Sequence, residues 1–237
     1  MRQGCPLSAQ RFALCLDPLL CSLEDTLTGL RVGRRNSKTA VIAYADDATI
    51  FVTSQHDILK IQDATDNYDA ASGARLHITK SKAMAVGPWE TSISVLNIPY
   101  HTEMKILAIH LTSTAHQSEK NNWATETGKI CTGARDTYSR DHCLANRILY
   151  LNNFLLAQAW YTAQIFPIPG DCIRQINTAI AWFLWQGSIF QVPLSTLQQR
   201  KQQGGWGQMN VAVKSRTLLF YRLQLQGQEM GTLAEEW

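Results

Sequence analysis

The chain is 237 residues long, 45% hydrophobic and 17% charged, with a formal net charge of +3. Those figures exclude a disordered or low-complexity polymer and allow one sizeable domain or two small ones. The longest apolar runs, such as Ala179-Ile180-Ala181-Trp182-Phe183-Leu184-Trp185, are far too short to span a bilayer. With no secretory signal in view, an intracellular chain with no membrane partner is expected. The six cysteines contain no Cys-x-x-Cys pair, and His142-Cys143 has no partner cluster at zinc spacing, so reduced thiols are expected.

The charge is unevenly spread. Residues 1–118 hold 11 basic and 11 acidic side chains, whereas residues 120–222 hold 11 basic against 4 acidic, a net of +7. A basic half joined to a carboxylate-bearing half suits a nucleic-acid enzyme, with an ordinary solvated basic surface as the plain alternative.

In chain order, residues 2–8 read as a turn leading into an apolar helical pattern through Phe12, Leu16, Leu19, Leu20 and Leu23, bent or broken near Pro18. A basic loop with Gly33, Arg34 and Arg35 follows. Val41-Ile42-Ala43-Tyr44 and Ala48-Thr49-Ile50-Phe51-Val52 then read as two strands covered on both faces, with Asp46 and Asp47 at the tip between them. Residues 57–71 are helical, ended by Ser72-Gly73. Short strands are expected at residues 76–78, 84–86 and 106–111. From about residue 113 the pattern is helical. It runs through residues 144–166, a helix capped by Asp171 with apolar Ile173, Ile176, Ile180 and Phe183, a tight Gly204-Gly205-Trp206-Gly207 loop, and a helix over residues 211–225. Most of the tryptophans fall on apolar stripes and read as core.

Asp46-Asp47 carries the chemistry. Two neighbouring carboxylates held on a buried hairpin repel each other and lose hydration, and a divalent cation relieves both costs. Mg²⁺ prefers such hard oxygen ligands and bridges them to phosphates, which points to phosphoryl or nucleotidyl transfer. A solvated turn without a ligand is the alternative.

The motifs taken together resemble the reverse transcriptases of non-LTR (LINE-type) retrotransposons. Arg2-Gln3-Gly4-Cys5-Pro6-Leu7-Ser8 resembles that family's Arg-Gln-Gly-x-Pro-Leu-Ser motif, and Tyr44-Ala45-Asp46-Asp47 follows at the matching distance. Ser72-Gly73 through Lys80-Ser81-Lys82, Lys105-Ile106-Leu107-Ala108, Phe183-Leu184-Trp185 and Gly204-Gly205-Trp206-Gly207 resemble its later landmarks. Ala108 stands where the family usually has glycine, His77 where it has asparagine, and Ala9 where proline is common.

The resemblance implies an α+β fold: a partial palm at residues 1–115, a helical thumb-like region at 116–200 and a connection segment at 201–237. It implies an RNA-directed DNA polymerase using an RNA template, a DNA primer and deoxynucleoside triphosphates, with two Mg²⁺ or Mn²⁺ ions in the complete enzyme. Asp46 would be the principal metal ligand and Asp47 its assistant. Lys80 would lie near the phosphates, and Tyr44 with Ala45 would border the primer end. Gln3, Gly4 and Pro6 would shape the nucleotide and template pocket. The family's third metal-binding aspartate and its fingers precede the Arg-Gln-Gly motif, so this chain alone is expected to be inactive. An exposed palm edge would also favour aggregation. The competing reading is a non-catalytic nucleic-acid-binding relic.

Overall fold

The computed structural model describes residues 7–32, 37–89, 94–137, 143–186 and 192–230. The chain divides into two compact units, Met1–Ile106 and Leu107–Trp237, each treated separately below.

The first unit opens with α1 (Ser8–Thr26), which continues through Pro18. Two antiparallel strand pairs follow. One joins β1 (Leu30–Val32) to β2 (Ser37–Thr39), and the other joins β3 (Val41–Tyr44) to β4 (Asp47–Ile50). Helix α2 (Gln55–Ser72) begins at Ser54, whose hydroxyl accepts the Asp57 N–H, and closes at Gly73 in the left-handed region. Its start is two residues earlier than the apolar pattern suggests, because the cap rather than the apolar face sets a helix end.

Residues of β3 and β4 that lie directly opposite share a face, so Val41, Ile50, Ala43 and Ala48 face one way and Ile42, Thr49, Tyr44 and Asp47 the other. Val41 and Ile50 pack with Leu19 and Leu23 of α1, Leu27 just past its end, and Ile61 and Ala64 of α2. The opposite face is open, with Ile42 46% and Tyr44 68% exposed. The expectation of strands covered on both faces is therefore corrected: among the described residues each strand has one sheet partner and one packed side.

Residues 76–78 and 84–86 do not form strands. The first is irregular chain leading into a turn over residues 78–80, and the second lies beside an isolated bridge between Ala83 and Tyr100. Apolar runs this short lack the neighbouring strand that would fix them. Trp89 donates its indole N–H to the Tyr100 hydroxyl at 2.9 Å. The single strand expected over residues 106–111 is instead two, β5 (Glu103–Ile106) and β6 (Ile109–Thr112), separated by Leu107 and Ala108 with φ of 46° and 69°. Two consecutive left-handed residues make the tight turn that usually selects glycine.

The second unit is helical beyond β6. Helix α3 (Ala115–Asp136) is followed by α4 (Leu144–Tyr150), a π-helical turn (Leu151–Leu155), a 3₁₀ turn (Leu156–Gln158) and α5 (Ala159–Ala163). Then come α6 (Gly170–Trp185), α7 (Leu194–Leu197) and α8 (Val211–Met230). Trp123, Ile130, Leu151, Leu155, Ile176, Ile180, Phe183 and Leu184 form the centre of its core. Trp160 and Trp185 pack at its margin, consistent with the core reading of these residues. Asp171 does not cap α6. Pro169 occupies that position, and Asp171 sits in the first turn, where its charge complements the helix dipole.

The π turn lets one residue bulge from an otherwise continuous helical run. Asn152 within it donates to the Gly207 carbonyl and accepts from the Met209 N–H, both at 3.0 Å. Gly205 in that tethered loop is obligatory by space: a Cβ there would stand 2.1 Å from the Gln199 carbonyl oxygen.

Candidate active site

The β3–β4 register pairs Tyr44 with Asp47 and leaves Ala45 and Asp46 as a two-residue turn. Asp46 thus occupies the tip itself, while Asp47 is the first residue of β4, and not both aspartates lie at the tip. Ala45 takes a φ of 53°, a left-handed conformation costly for any residue with a Cβ. In exchange, the turn presents both carboxylates to solvent. Tyr44 and Asp47 are cross-strand partners on the open face.

The carboxylates are hard oxygen donors and suit Mg²⁺ or Mn²⁺. Two adjacent residues of one hairpin can serve one ion, but they cannot enclose a pair of ions about 4 Å apart. Among the described residues there is no group of three or more His, Cys, Asp or Glu side chains placed to hold a metal. The donor set fits part of a two-ion site.

Lys80 ends an exposed turn in which its N–H bonds to the His77 carbonyl at 3.0 Å. Among the described residues no hydrogen bond or ion pair links Lys80 to Asp46 or Asp47. Gln3, Gly4 and Pro6 lie outside the described residues, as do Arg34 and Arg35.

Two further acidic residues organise this region, and neither was singled out from sequence. Glu24 of α1 accepts the N–H groups of Ala40 at 2.9 Å and Val41 at 2.8 Å. Asp57 of α2, fully buried, accepts the N–H and hydroxyl of Thr28, both at 3.1 Å, and those of Thr53 at 3.3 and 3.1 Å. Burial pushes the Asp57 carboxyl up, and the bonds from Thr28, Thr53 and Ser54 outweigh it, holding the group below its ordinary value of 3.8. The Ser-x-x-Asp spacing of Ser54 and Asp57 is a helix-start signature that could have found it. Glu24 has no local signal, because its partners are 16 and 17 residues away.

In the helical unit, α3 and α6 border a cavity of about 480 Å³ lined by Cys131, Arg135, Arg174, Thr178 and Trp182. Two guanidiniums beside an indole form a surface suited to phosphates and bases. Arg174 is also paired with Asp171. Burial pushes the Cys131 thiol up against the opposing pull of Arg135, so it rests as a neutral thiol.

Comparison with known proteins bears on both units. Residues 1–111 match the family model described as reverse transcriptase (RNA-dependent DNA polymerase). The whole chain aligns, at 26% identity over 242 residues, with the Transposon TX1 uncharacterized 149 kDa protein of Xenopus laevis. It spans 18% of the length of that relative.

Proposed function

We propose that this chain, whose residues 1–111 match the reverse transcriptase family and whose whole length resembles a transposon protein, supplies the catalytic hairpin and a nucleic-acid-gripping helical region of an RNA-directed DNA polymerase of the non-LTR retrotransposon kind. The observation that carries this reading is the strained two-residue turn that presents Asp46 and Asp47 to solvent inside the segment matching the family. In the reaction, a primer 3′-hydroxyl attacks the α-phosphorus of a deoxynucleoside triphosphate and pyrophosphate leaves. Asp46 and Asp47 would hold Mg²⁺ or Mn²⁺, which when bound offsets the negative charge developing on the reacting oxygens. Tyr44 orients the primer end beside Asp47. Lys80 donates a proton to the departing pyrophosphate. Gln3, Gly4 and Pro6 shape the nucleotide and template pocket. The basic helical region holds the RNA–DNA duplex through its phosphates, without reading sequence.

Two carboxylates do not complete a two-ion site, so the chemistry requires a further carboxylate and fingers from outside these residues. Primer extension on an RNA template tests this. The isolated 237-residue chain should give no product with Mg²⁺ or Mn²⁺. The same residues joined to a segment that brings another carboxylate strand should extend the primer, and Asp46→Asn should abolish that extension. Product from the isolated chain, or from the joined Asp46→Asn protein, overturns the proposal.

The net +7 of residues 120–222 favours, as a second reading, a non-catalytic nucleic-acid-binding role. It predicts salt-sensitive duplex binding with no extension in either polypeptide. Among the described residues no helix is long and apolar enough to cross a membrane.

A further inference from the structure

The β3–β4 hairpin projects its aspartates from a base that is held in an unusual way. On the entering arm, consecutive N–H groups of Ala40 and Val41 both reach the Glu24 carboxylate. Consecutive amides of a regular strand point to opposite sides, and these two converge because the chain breaks between β2 and β3 at Ala40. Ala40 is fully enclosed, its carbonyl accepts the Phe51 N–H at 2.8 Å, and a Cβ on Gly29 would stand 3.0 Å from it. On the leaving arm, the Asp57 carboxylate takes both donors of Thr53, and its other oxygen ties Thr28 at the end of α1 to the same point. Each helix therefore contributes one carboxylate to one arm of the hairpin.

We infer that Glu24 and Asp57 are positioning residues, a pair of carboxylates outside the turn that clamp the two arms of β3–β4 and fix where Asp46 and Asp47 stand. The inference rests on the reading of that turn as metal-binding. Its physical basis is leverage. From Val41 to Asp46 is five residues, roughly 16 Å of strand, so a tilt of roughly 10° at the base displaces the tip by about 3 Å. Misplacement of reacting groups by about 1 Å is enough to cost about 100-fold in rate. The open Ile42–Tyr44 face supplies no packing to resist such a tilt, leaving the base contacts to set it. Charge-assisted bonds to a carboxylate are the strong kind of hydrogen bond, and they add direction to a base that apolar packing supports on one face only.

The test uses the full 237-residue chain labelled with 3-fluorotyrosine, the Tyr44 resonance being assigned with Tyr44→Phe. Amide exchange reports the clamp, and broadening of the Tyr44 fluorine signal by added Mn²⁺ reports the tip. Glu24→Ala should speed exchange of residues 40–50 by about tenfold or more while residues 107–230 exchange as before, and should reduce the Mn²⁺ broadening about threefold. Glu24→Gln keeps one acceptor oxygen and should recover most of both, and it is the deciding variant if Glu24→Ala does not fold. Unchanged exchange in both variants overturns the clamp. Faster exchange with unaltered Mn²⁺ broadening overturns the positioning role and leaves a structural contact only. If Mn²⁺ affects Tyr44 no more in the native chain than in Asp46→Asn, the metal reading of the turn fails on its own, and exchange alone decides the clamp.

Discussion

The two units are held together by different physics. Among the described residues, the helical unit encloses Trp123 and many aliphatic side chains in one continuous core, whereas the core of the hairpin unit is Leu23, Leu27, Ala40 and Ile61 with a thin surround. The hairpin unit compensates with the polar contacts of Glu24, Asp57 and Lys38, whose ammonium reaches the carbonyls of Glu24 and Asp25 at the end of α1. Apolar packing is non-directional and tolerates small shifts, while hydrogen bonds to a carboxylate specify both distance and direction. The unit that carries Asp46 and Asp47 is organised by the directional kind.

Substitutions can break that contrast, and the largest effect belongs to the packed core. Trp123→Ala should cost about 4 kcal/mol, read as loss of amide protection and of the urea midpoint for residues 107–230. Asp57→Ala comes next at about 3 kcal/mol, because it removes the buried carboxylate whose charge-assisted hydrogen bonds tie Thr28 to Thr53. The same group makes the hairpin unit acid-sensitive. Its folded value lies below 3.8, so its contribution is fully present above 3.8 and is lost as pH falls through the lower folded value. Urea titrations across that range should show the loss in the native chain and its disappearance in Asp57→Asn.

Gly205→Ala tests whether the loop after α7 is as tightly fixed as its contacts indicate. A methyl group against the Gln199 carbonyl should cost about 2 kcal/mol in thermal unfolding. The smallest effect has the opposite sign. Ala108→Gly should stabilise by about 1 kcal/mol, since it removes a left-handed alanine at φ 69° without disturbing a buried contact. A lower melting temperature for that variant would show that the turn depends on the alanine methyl.

Several readings from sequence survive because their causes are local. Ser72-Gly73 ends α2, Ile176, Ile180 and Phe183 line the buried face of α6, and Gly204-Gly205-Trp206-Gly207 is a tight loop, each set by residues within one or two turns of the chain. The departure of Ala108 from the family's glycine was visible in sequence, and its meaning became clear only from the φ of the turn it occupies. Other readings failed where a neighbour had to be known. Residues 76–78 and 84–86 have strand-like composition but no ladder to join, and Asp171 looked like a cap until Pro169 was found in that position. The family model adds reach to the sequence, but it does not supply the bonds that hold the hairpin base.

By itself, the sequence determined the alternation of helix and strand, the two aspartates between apolar runs, the uneven charge and the likeness to reverse transcriptases. Periodicity, turn chemistry and charge are properties of neighbouring residues, so they are written in the chain. Only the tertiary structure decided that Asp46 lies in the turn and Asp47 in the strand, that one face of the hairpin is open, and that Glu24 and Asp57 grip its arms. Register and long-range hydrogen bonds depend on which backbone groups meet after folding. Glu24 and Val41 stand 17 residues apart in the chain and 2.8 Å apart in the fold.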